Sequence, residues 1–220
     1  PTGSTSNLLT YLARGDVALA LSFTAVASVA TIFTLPLVVT WALGHYLGAA
    51  RAVDVPVGLM MGQVAMVLGL PVSAGMWARH RWGAWARAFE PRATRIATVL
   101  FVLIVVLAVL KNWALLRDNF STLAPFALLL NLSMLAVGFA VARAVRLSRS
   151  QSVTLGIETA VQNAALALVI ASTVLKDDAM AIPGALYGVL MYAGGLLFAL
   201  AMRRLLPAAP TTATVATTAA

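Results

Sequence analysis

The sequence predicts an all-α polytopic membrane protein, and three observations carry that prediction. Of the 220 residues, 61% are hydrophobic and only 10% are charged, and the mean hydropathy is +0.94. Ordinary soluble domains are about 45–50% apolar and about 25% charged. Four uncharged runs, of 34, 24, 24 and 24 residues, are each long enough for a bilayer-spanning helix, which needs roughly 20 residues.

The excess of basic residues fits the same class of protein. The chain has 15 Lys and Arg against 7 Asp and Glu, a formal net charge of +8, which in a soluble protein would suggest a nucleic-acid partner. Because basic residues flank membrane helices and set their orientation, we expect the lipid bilayer as partner and no nucleic acid. The absence of cysteine excludes disulfides and thiolate metal sites.

The helices are predicted in order from the uncharged runs. A piece over 7–14 is too short to span, and six spans follow it. Pro36 and Pro71 lie inside spans and are expected to kink them. The third span has an uncharged run of only 15 residues, so it reaches spanning length only if Arg95 and Lys111 snorkel. The six predicted spans are 17–44, 57–79, 95–113, 120–143, 150–175 and 180–203.

Charge asymmetry predicts the orientation. Eleven basic residues lie at one set of helix ends and four at the other, so the positive-inside rule places the C-terminus in the cytoplasm. Residues 77–95, rich in Trp and Arg, are predicted to form an amphipathic connector on that face. We expect a multi-pass protein of a bacterial-type inner membrane. The chain begins without Met and with a half-length helix, so we also expect upstream helices in the full protein.

Glu158 is the most informative residue, because the other six acids lie at predicted helix ends or in loops. Eight residues separate it from Arg149 and 17 from Lys176, which places it near mid-membrane. A carboxylate at that depth should face a cavity, a cation or a proton path. The alternative is a protonated side chain that makes a hydrogen bond between helices.

The neighbours of Glu158 favour a cation. Thr159, Gln162 and Asn163 add hydroxyl and amide oxygens, and Gly156 marks a place where the helix can open. A hard cation takes oxygen ligands, including carbonyls freed by unwound backbone. The chain start, residues 3–7, has the same small and polar character, which alone fits a helix N-cap. Together the two segments predict the paired broken helices of an inverted-repeat transporter.

Other functions remain as alternatives. A proton-coupled carrier would use Glu158 as its titrating group. An intramembrane enzyme would need a nucleophile with a base or a metal cluster, and no His, Cys or Asp lies near Glu158 in the sequence. A structural or receptor-like role is a further alternative. A measurement of whether sodium raises the thermal stability of the protein separates it from a sodium-coupled transporter. We therefore expect a transporter that is not an enzyme and has no cofactor.

Two segments resemble the bile acid:sodium symporter family. Residues 4–19, STSNLLTYLARGDVAL, resemble its fourth-helix crossover, and residues 156–167, GIETAVQNAALA, resemble its ninth-helix partner. The resemblance covers residues 1–205, from the second half of helix four through helix ten, and implies two crossing discontinuous helices. A related arsenite-exporting group relies on a crossover cysteine, which this chain lacks.

The resemblance implies a set of site residues. A first sodium site would use Ser6, Asn7, Thr24 and Glu158, and relatives usually have a further serine where this chain has Ala20. A second site would use Glu158, backbone oxygens of Thr159 and Val161, and Gln162. The residues implicated in substrate binding are Ser4, Thr5 and Asn163.

The resemblance also implies the function and the domains. We expect sodium-coupled symport of an organic anion, such as a bile acid or a small carboxylate, by alternating access, with Na+ as the coupling ion. Residues 1–50 would end the first repeat as part of a core domain, and 51–118 would form panel-domain helices. Residues 119–205 would form the core helices of the second repeat, with a broken helix at 156–163. We expect residues 206–220 to be a disordered cytoplasmic tail.

Overall fold

The structure of the protein is a computed structural model that describes residues 2–3, 5–47, 57–111, 113–177 and 179–205. Within these ranges the chain is helical, without β-strands, and an isolated antiparallel β-bridge joins Thr2 to Gln162. The α-helices are α1 (Ser6–Leu12), α2 (Val17–Leu47), α3 (Val57–Val64), α4 (Leu70–Arg81), α5 (Gly83–Lys111), α6 (Trp113–Ala144), α7 (Arg149–Ala160), α8 (Ala164–Val169) and α9 (Ala181–Leu205).

The short first helix and the long apolar helices occur where the sequence predicts them. α1 has seven residues, and α2 and α9 match the predicted spans closely. α6 begins earlier than predicted, at Trp113. By length and composition, three helices could cross a membrane within the described part of the chain. The count of six spans stays a prediction.

The predicted span over 57–79 consists of two helices joined by a π-helical turn, Ala65–Gly69. The turn comes directly before Leu70 and Pro71. Proline lacks an N–H and clashes with the carbonyl four residues before it. A π-helical turn at this point provides a change of helical register just where Pro71 cannot continue the α-helical hydrogen bonds.

The helix that contains the third predicted span begins before residue 95. The start of the membrane span itself stays a prediction. α5 begins at Gly83, so most of the predicted connector over 77–95 is regular helix. The interruption is limited to Trp82, whose φ of −129° and ψ of 52° are not helical. The cause lies in the sequence after Gly83, where Ala and Arg, both strong helix formers, alternate with aromatic residues.

The predicted span over 150–175 is interrupted at Val161–Asn163, between α7 and α8. Val161 has a φ of −92° and a ψ of 93°, which is extended backbone. The interruption falls at the end of the predicted range, 156–163, and the role predicted for Gly156 is wrong. Gly156 is buried within α7, and a Cβ there would lie 3.1 Å from Leu135 O of α6. This glycine therefore allows close helix packing and does not open the helix.

Two clusters of buried side chains hold the helices together. The larger one joins α1, α6, α7 and α9 and includes Leu9, Leu135, Ile157 and Met191. The smaller one brings Met60 of α3 against residues of α2 and α8. The division into core and panel domains at 1–50, 51–118 and 119–205 stays a prediction, and residues 206–220 lie outside the described ranges.

The turn between α1 and α2 is fixed to α7. The backbone N–H of Asp16 donates to Thr154 Oγ1 over 2.7 Å, and Ser150 Oγ donates to Arg14 O over 3.1 Å. A Cβ on Gly15 would lie 2.7 Å from Thr154 Oγ1, so only glycine fits at this approach. The N-terminal part of α7 and the end of α1 are thereby held in one arrangement.

Candidate functional site

The start of the chain crosses the interruption between α7 and α8. Gly3 N donates to Val161 O over 2.9 Å, and Thr2 pairs with Gln162 in the β-bridge. A Cβ on Gly3 would lie 2.9 Å from Gln162 O, so the close approach needs glycine. Backbone that leaves the helix at membrane depth must find other partners for its polar groups. The bond between Gly3 N and Val161 O gives each of these backbone groups a partner from the other segment.

Glu158 lies on α7 just before this crossing and is almost completely buried, with 1% of its surface exposed. Thr24 Oγ1 of α2 donates to Glu158 Oε2 over 2.8 Å. The other carboxylate oxygen, Oε1, is buried and has no hydrogen-bond partner. A buried carboxylate oxygen without a donor is costly unless a cation or a proton meets it.

Ser6 and Asn7 begin α1 beside this carboxylate. Ser6 is fully buried, its hydroxyl faces Glu158, and Ser6 Oγ has no hydrogen-bond partner. The side-chain amide oxygen of Asn7 is also buried. The structure thus brings Ser6, Thr24 and Glu158 of the predicted first sodium site together, with Asn7 adjacent in sequence. The side-chain atoms of Ser6, Thr24 and Glu158 that could bind a cation are all oxygens, the ligand type that hard cations prefer.

Ala20 brings no oxygen to the site. It is 0% exposed on α2, one helical turn before Thr24. Residues four apart lie on the same face of a helix, so the position faces the same side as Thr24 but contributes a methyl group. Of these two positions on α2, only Thr24 therefore brings a hydroxyl to the site.

The residues of the predicted second sodium site lie around the end of α7. The Thr159 hydroxyl donates to Leu155 O of its own helix over 2.7 Å, so its side chain does not reach into the site. Thr159 O lies 3.4 Å from Gln162 Nε2. Val161 O already accepts from Gly3 N. The side chain of Gln162 is exposed, and among the described residues it makes no hydrogen bond to Glu158.

The predicted substrate residues lie in two different surroundings. Thr5 Oγ1 and Tyr192 Oη of α9 are 2.7 Å apart. Asn163 caps α8 by accepting from Leu166 N over 3.0 Å and lines a cavity of about 340 Å³ between α6, α8 and α9. The cavity is mainly apolar, with Gln162 and Asn163 at its polar edge. Ser4 lies outside the described residues.

Polar residues of other helices also reach the crossing, and sequence reasoning did not assign Tyr187 or Thr2 to it. Tyr187 Oη donates to Ala160 O over 2.8 Å, and Asn131 Nδ2 lies 3.3 Å from the same oxygen. These two side chains, from α9 and α6, satisfy a carbonyl that the end of α7 leaves free. Thr2, whose hydroxyl donates to Thr24 over 2.8 Å, was also missed. No sequence pattern singled out Tyr187 or Thr2, because each acts across a long separation in the chain.

The described residues contain no group of three or more His, Cys, Asp and Glu side chains that could hold a metal ion. The site is instead a single carboxylate with neutral oxygens. Such a set suits a weakly held monovalent cation better than a divalent metal, whose sites combine several charged ligands.

Comparisons with known proteins show the family to which the chain belongs. Residues 1–119 match the family described as Sodium Bile acid symporter family. The probable sodium/metabolite cotransporter BASS1, chloroplastic, of Oryza sativa subsp. japonica is 30% identical over 207 residues, 94% of this chain and 50% of that protein. The sodium-dependent organic anion transporter of Rattus norvegicus is 26% identical over 175 residues, 76% of this chain and 44% of that protein.

The chain spans about half the length of the curated relatives it matches. A second chloroplastic relative with the name BASS1, from Arabidopsis thaliana, is 28% identical over 189 residues, 86% of this chain and 46% of that protein. The names of these three relatives describe transport, and none describes catalysis.

Proposed function

We propose that this chain, which belongs to the sodium bile acid symporter family, forms part of a transporter that couples sodium entry to the uptake of an organic anion. The observation that carries the proposal is Glu158, buried where two chain segments cross, with one carboxylate oxygen bonded to Thr24 and the other without a partner. Sodium at Oε1 would compensate the buried charge and engage the hydroxyl of Ser6.

Coupling follows from the elements that the site joins. Glu158 comes from α7, Ser6 and Asn7 from α1, and Thr24 from α2. A cation held by all of them fixes the crossing, and a fixed crossing presents Thr5 and Asn163 in a constant arrangement. By linkage, sodium that raises anion affinity must have its own affinity raised by the anion to the same extent.

The substrate class rests on the relatives and on the charge of the coupling ion. Relatives are named for sodium-coupled metabolite transport and for organic anion transport. Two sodium ions, one at each predicted site, would offset the charge of Glu158 and of an anion bound beside it. We propose Thr5, Asn163 and Ser4 as substrate contacts, and rocking of a core against a panel domain as the route for alternating access.

A proton-coupled organic-anion carrier is the second candidate. The same observation favours it, because Glu158 Oε1 has no partner and could take a proton instead of sodium. Uptake measured in sodium-free buffer across a range of pH separates the two candidates. Uptake that follows pH and ignores sodium would select the proton-coupled carrier.

Location and orientation complete the proposal. The protein is a multi-pass membrane protein by family and by its apolar helices. We propose a bacterial-type inner membrane, with the C-terminus in the cytoplasm because basic residues dominate that side. C-terminal fusions to a reporter active only in the cytoplasm, and to one active only outside it, test the orientation.

The test of sodium coupling compares matched variants of the full-length protein. Thr24→Val removes the hydroxyl that bonds Glu158 while keeping the shape of the side chain. Thr34→Val makes the same change on the same helix at an exposed hydroxyl that only bonds Ala30 O. We expect Thr24→Val, Glu158→Ala and Gln162→Ala to abolish sodium-dependent uptake, and Thr34→Val to retain it. Unchanged sodium-dependent uptake in Thr24→Val and Glu158→Ala would contradict the proposal.

A further inference from the structure

Thr2 is a buried polar residue that the predicted sodium and substrate sites do not include. It is 7% exposed and lies where the chain start crosses the interruption between α7 and α8. Its position is fixed by the backbone, because Thr2 pairs with Gln162 and the next residue, Gly3, donates to Val161 O. The Thr2 hydroxyl is therefore held in place before any ligand binds.

The hydroxyl of Thr2 belongs to a chain of hydrogen bonds that ends at the carboxylate. Thr2 Oγ1 donates to Thr24 Oγ1 over 2.8 Å, and Thr24 Oγ1 donates to Glu158 Oε2 over 2.8 Å. The Thr2 hydroxyl also lies near the Glu158 carboxylate. A hydroxyl has one hydrogen and two lone pairs. Since each hydrogen in this chain points toward the carboxylate, the lone pairs of Thr2 Oγ1 remain available.

The available oxygens converge from three parts of the chain. Glu158 Oε1 on α7 and Ser6 Oγ on α1 are buried and have no hydrogen-bond partner. Ala20, fully buried one turn before Thr24, offers only a methyl group. Thr2 thus supplies a second neutral hydroxyl next to Thr24, from a segment that crosses the helices.

We propose that Thr2 is a further ligand of the sodium ion bound at Glu158, through its hydroxyl oxygen. The proposal rests on the sodium coupling proposed above and adds a residue to that site. Sodium drawn toward Glu158 Oε1 meets the lone pairs of Thr2 while the Thr2 hydrogen stays on Thr24. The hydroxyl chain therefore need not break for the ion to bind.

A purely structural role for Thr2 predicts a different outcome. If its hydroxyl only held the Thr24 side chain in position, its loss would lower the stability of the sodium-free protein. A ligand role instead changes the sodium concentration needed for half of the sodium-induced stabilisation. The two roles are separated by measuring melting temperature as a function of sodium, with choline replacing sodium to keep ionic strength constant.

The experiment titrates NaCl against the full-length wild type and the variants Thr2→Val, Thr2→Ser and Thr34→Val. Valine keeps the shape of threonine without the oxygen, and serine keeps the oxygen. Loss of an oxygen that contacts a charged group should raise the half-saturating sodium concentration about tenfold or more. We expect that rise for Thr2→Val, near wild-type values for Thr2→Ser, and wild-type values for Thr34→Val.

The possible failures are distinguishable. A wild type whose melting temperature ignores sodium would overturn sodium coupling and this inference together. A sodium-responsive wild type with an unchanged half-saturating concentration in Thr2→Val would overturn the ligand role of Thr2 alone. An equal rise in Thr2→Val and Thr2→Ser would overturn it too, because the oxygen would not be the cause. If Thr2→Val does not fold, Thr2→Ala replaces it against Thr2→Ser, with the same expected order.

Discussion

Replacing Glu158 by glutamine should remove the response of the protein to sodium without damaging its fold. Glutamine keeps the volume of the side chain and loses the charge. Its amide oxygen can still accept from Thr24, which lies 2.8 Å from Glu158 Oε2. Its amide nitrogen can donate to Ser6 Oγ, which faces this position and has no hydrogen-bond partner. The neutral side chain is therefore fully compatible with its surroundings.

The size of the effect follows from the burial of the carboxylate. Two opposite unit charges about 4 Å apart attract each other by about 4 kcal/mol at an effective dielectric constant of about 20. Since about 1.4 kcal/mol is a factor of ten in affinity, Glu158→Gln should weaken sodium binding by about three orders of magnitude. Without sodium, the variant should be at least as stable as the wild type, because the wild type buries a charge whose Oε1 has no partner.

Thermal unfolding of the purified full-length protein in sodium or choline measures both effects. Sodium at ten times its dissociation constant stabilises the wild type by about 1.4 kcal/mol. For a domain of about 150–250 residues that corresponds to about 3–6 °C, and a longer protein shows a smaller rise. We expect this rise in wild type, no rise in Glu158→Gln, and the full rise in the control Glu90→Gln, which removes an exposed carboxylate. A wild-type rise in Glu158→Gln would refute the assignment of the carboxylate to sodium.

Two further predictions concern the packing that supports the site. Gly138→Ala should destabilise the protein by about 1–3 kcal/mol in the same thermal unfolding assay, because the added Cβ would lie 2.6 Å from Leu155 O. The control Gly44→Ala should be neutral or slightly stabilising, because its Cβ meets open space. Tyr187→Phe should lower stability by about 0.5–1.5 kcal/mol, because it removes the 2.8 Å hydrogen bond to Ala160 O. An unchanged melting temperature in this variant would show that Ala160 O does not depend on the tyrosine.

The sequence was sufficient to predict the helical membrane class, the buried carboxylate and the segment that crosses it. The first two depend on local composition, namely long uncharged runs and a lone acid among polar residues. The crossing was implied by the resemblance of residues 4–19 and 156–167 to the bile acid:sodium symporter family. The place where the helix opens was not predictable in the same way. Gly156 was predicted as the place where the helix can open, and only its packing against α6 shows that the helix continues past it to Ala160.

Other features could not be predicted because they depend on contacts between residues far apart in the chain. The approach of Thr2 to Thr24 requires the chain start to lie against the end of α7. The bond between Thr5 and Tyr192 joins residues 187 positions apart. The early start of α5 reflects helix propensity that outweighs the charge pattern from which its beginning was predicted.

The contacts on either side of Glu158 restrict how sodium can act. In the middle of α7, Thr154 is bonded to the backbone of Asp16, and beyond the C-terminal end of the helix Val161 is bonded to Gly3. Glu158 lies between these two contacts. α1 therefore cannot slide along α7 without breaking both, and a cation beside Glu158 adds a third connection between the same elements. We expect bound sodium to stiffen α1 and α7 as one unit, so that the movement proposed above for alternating access takes place where this unit meets other helices.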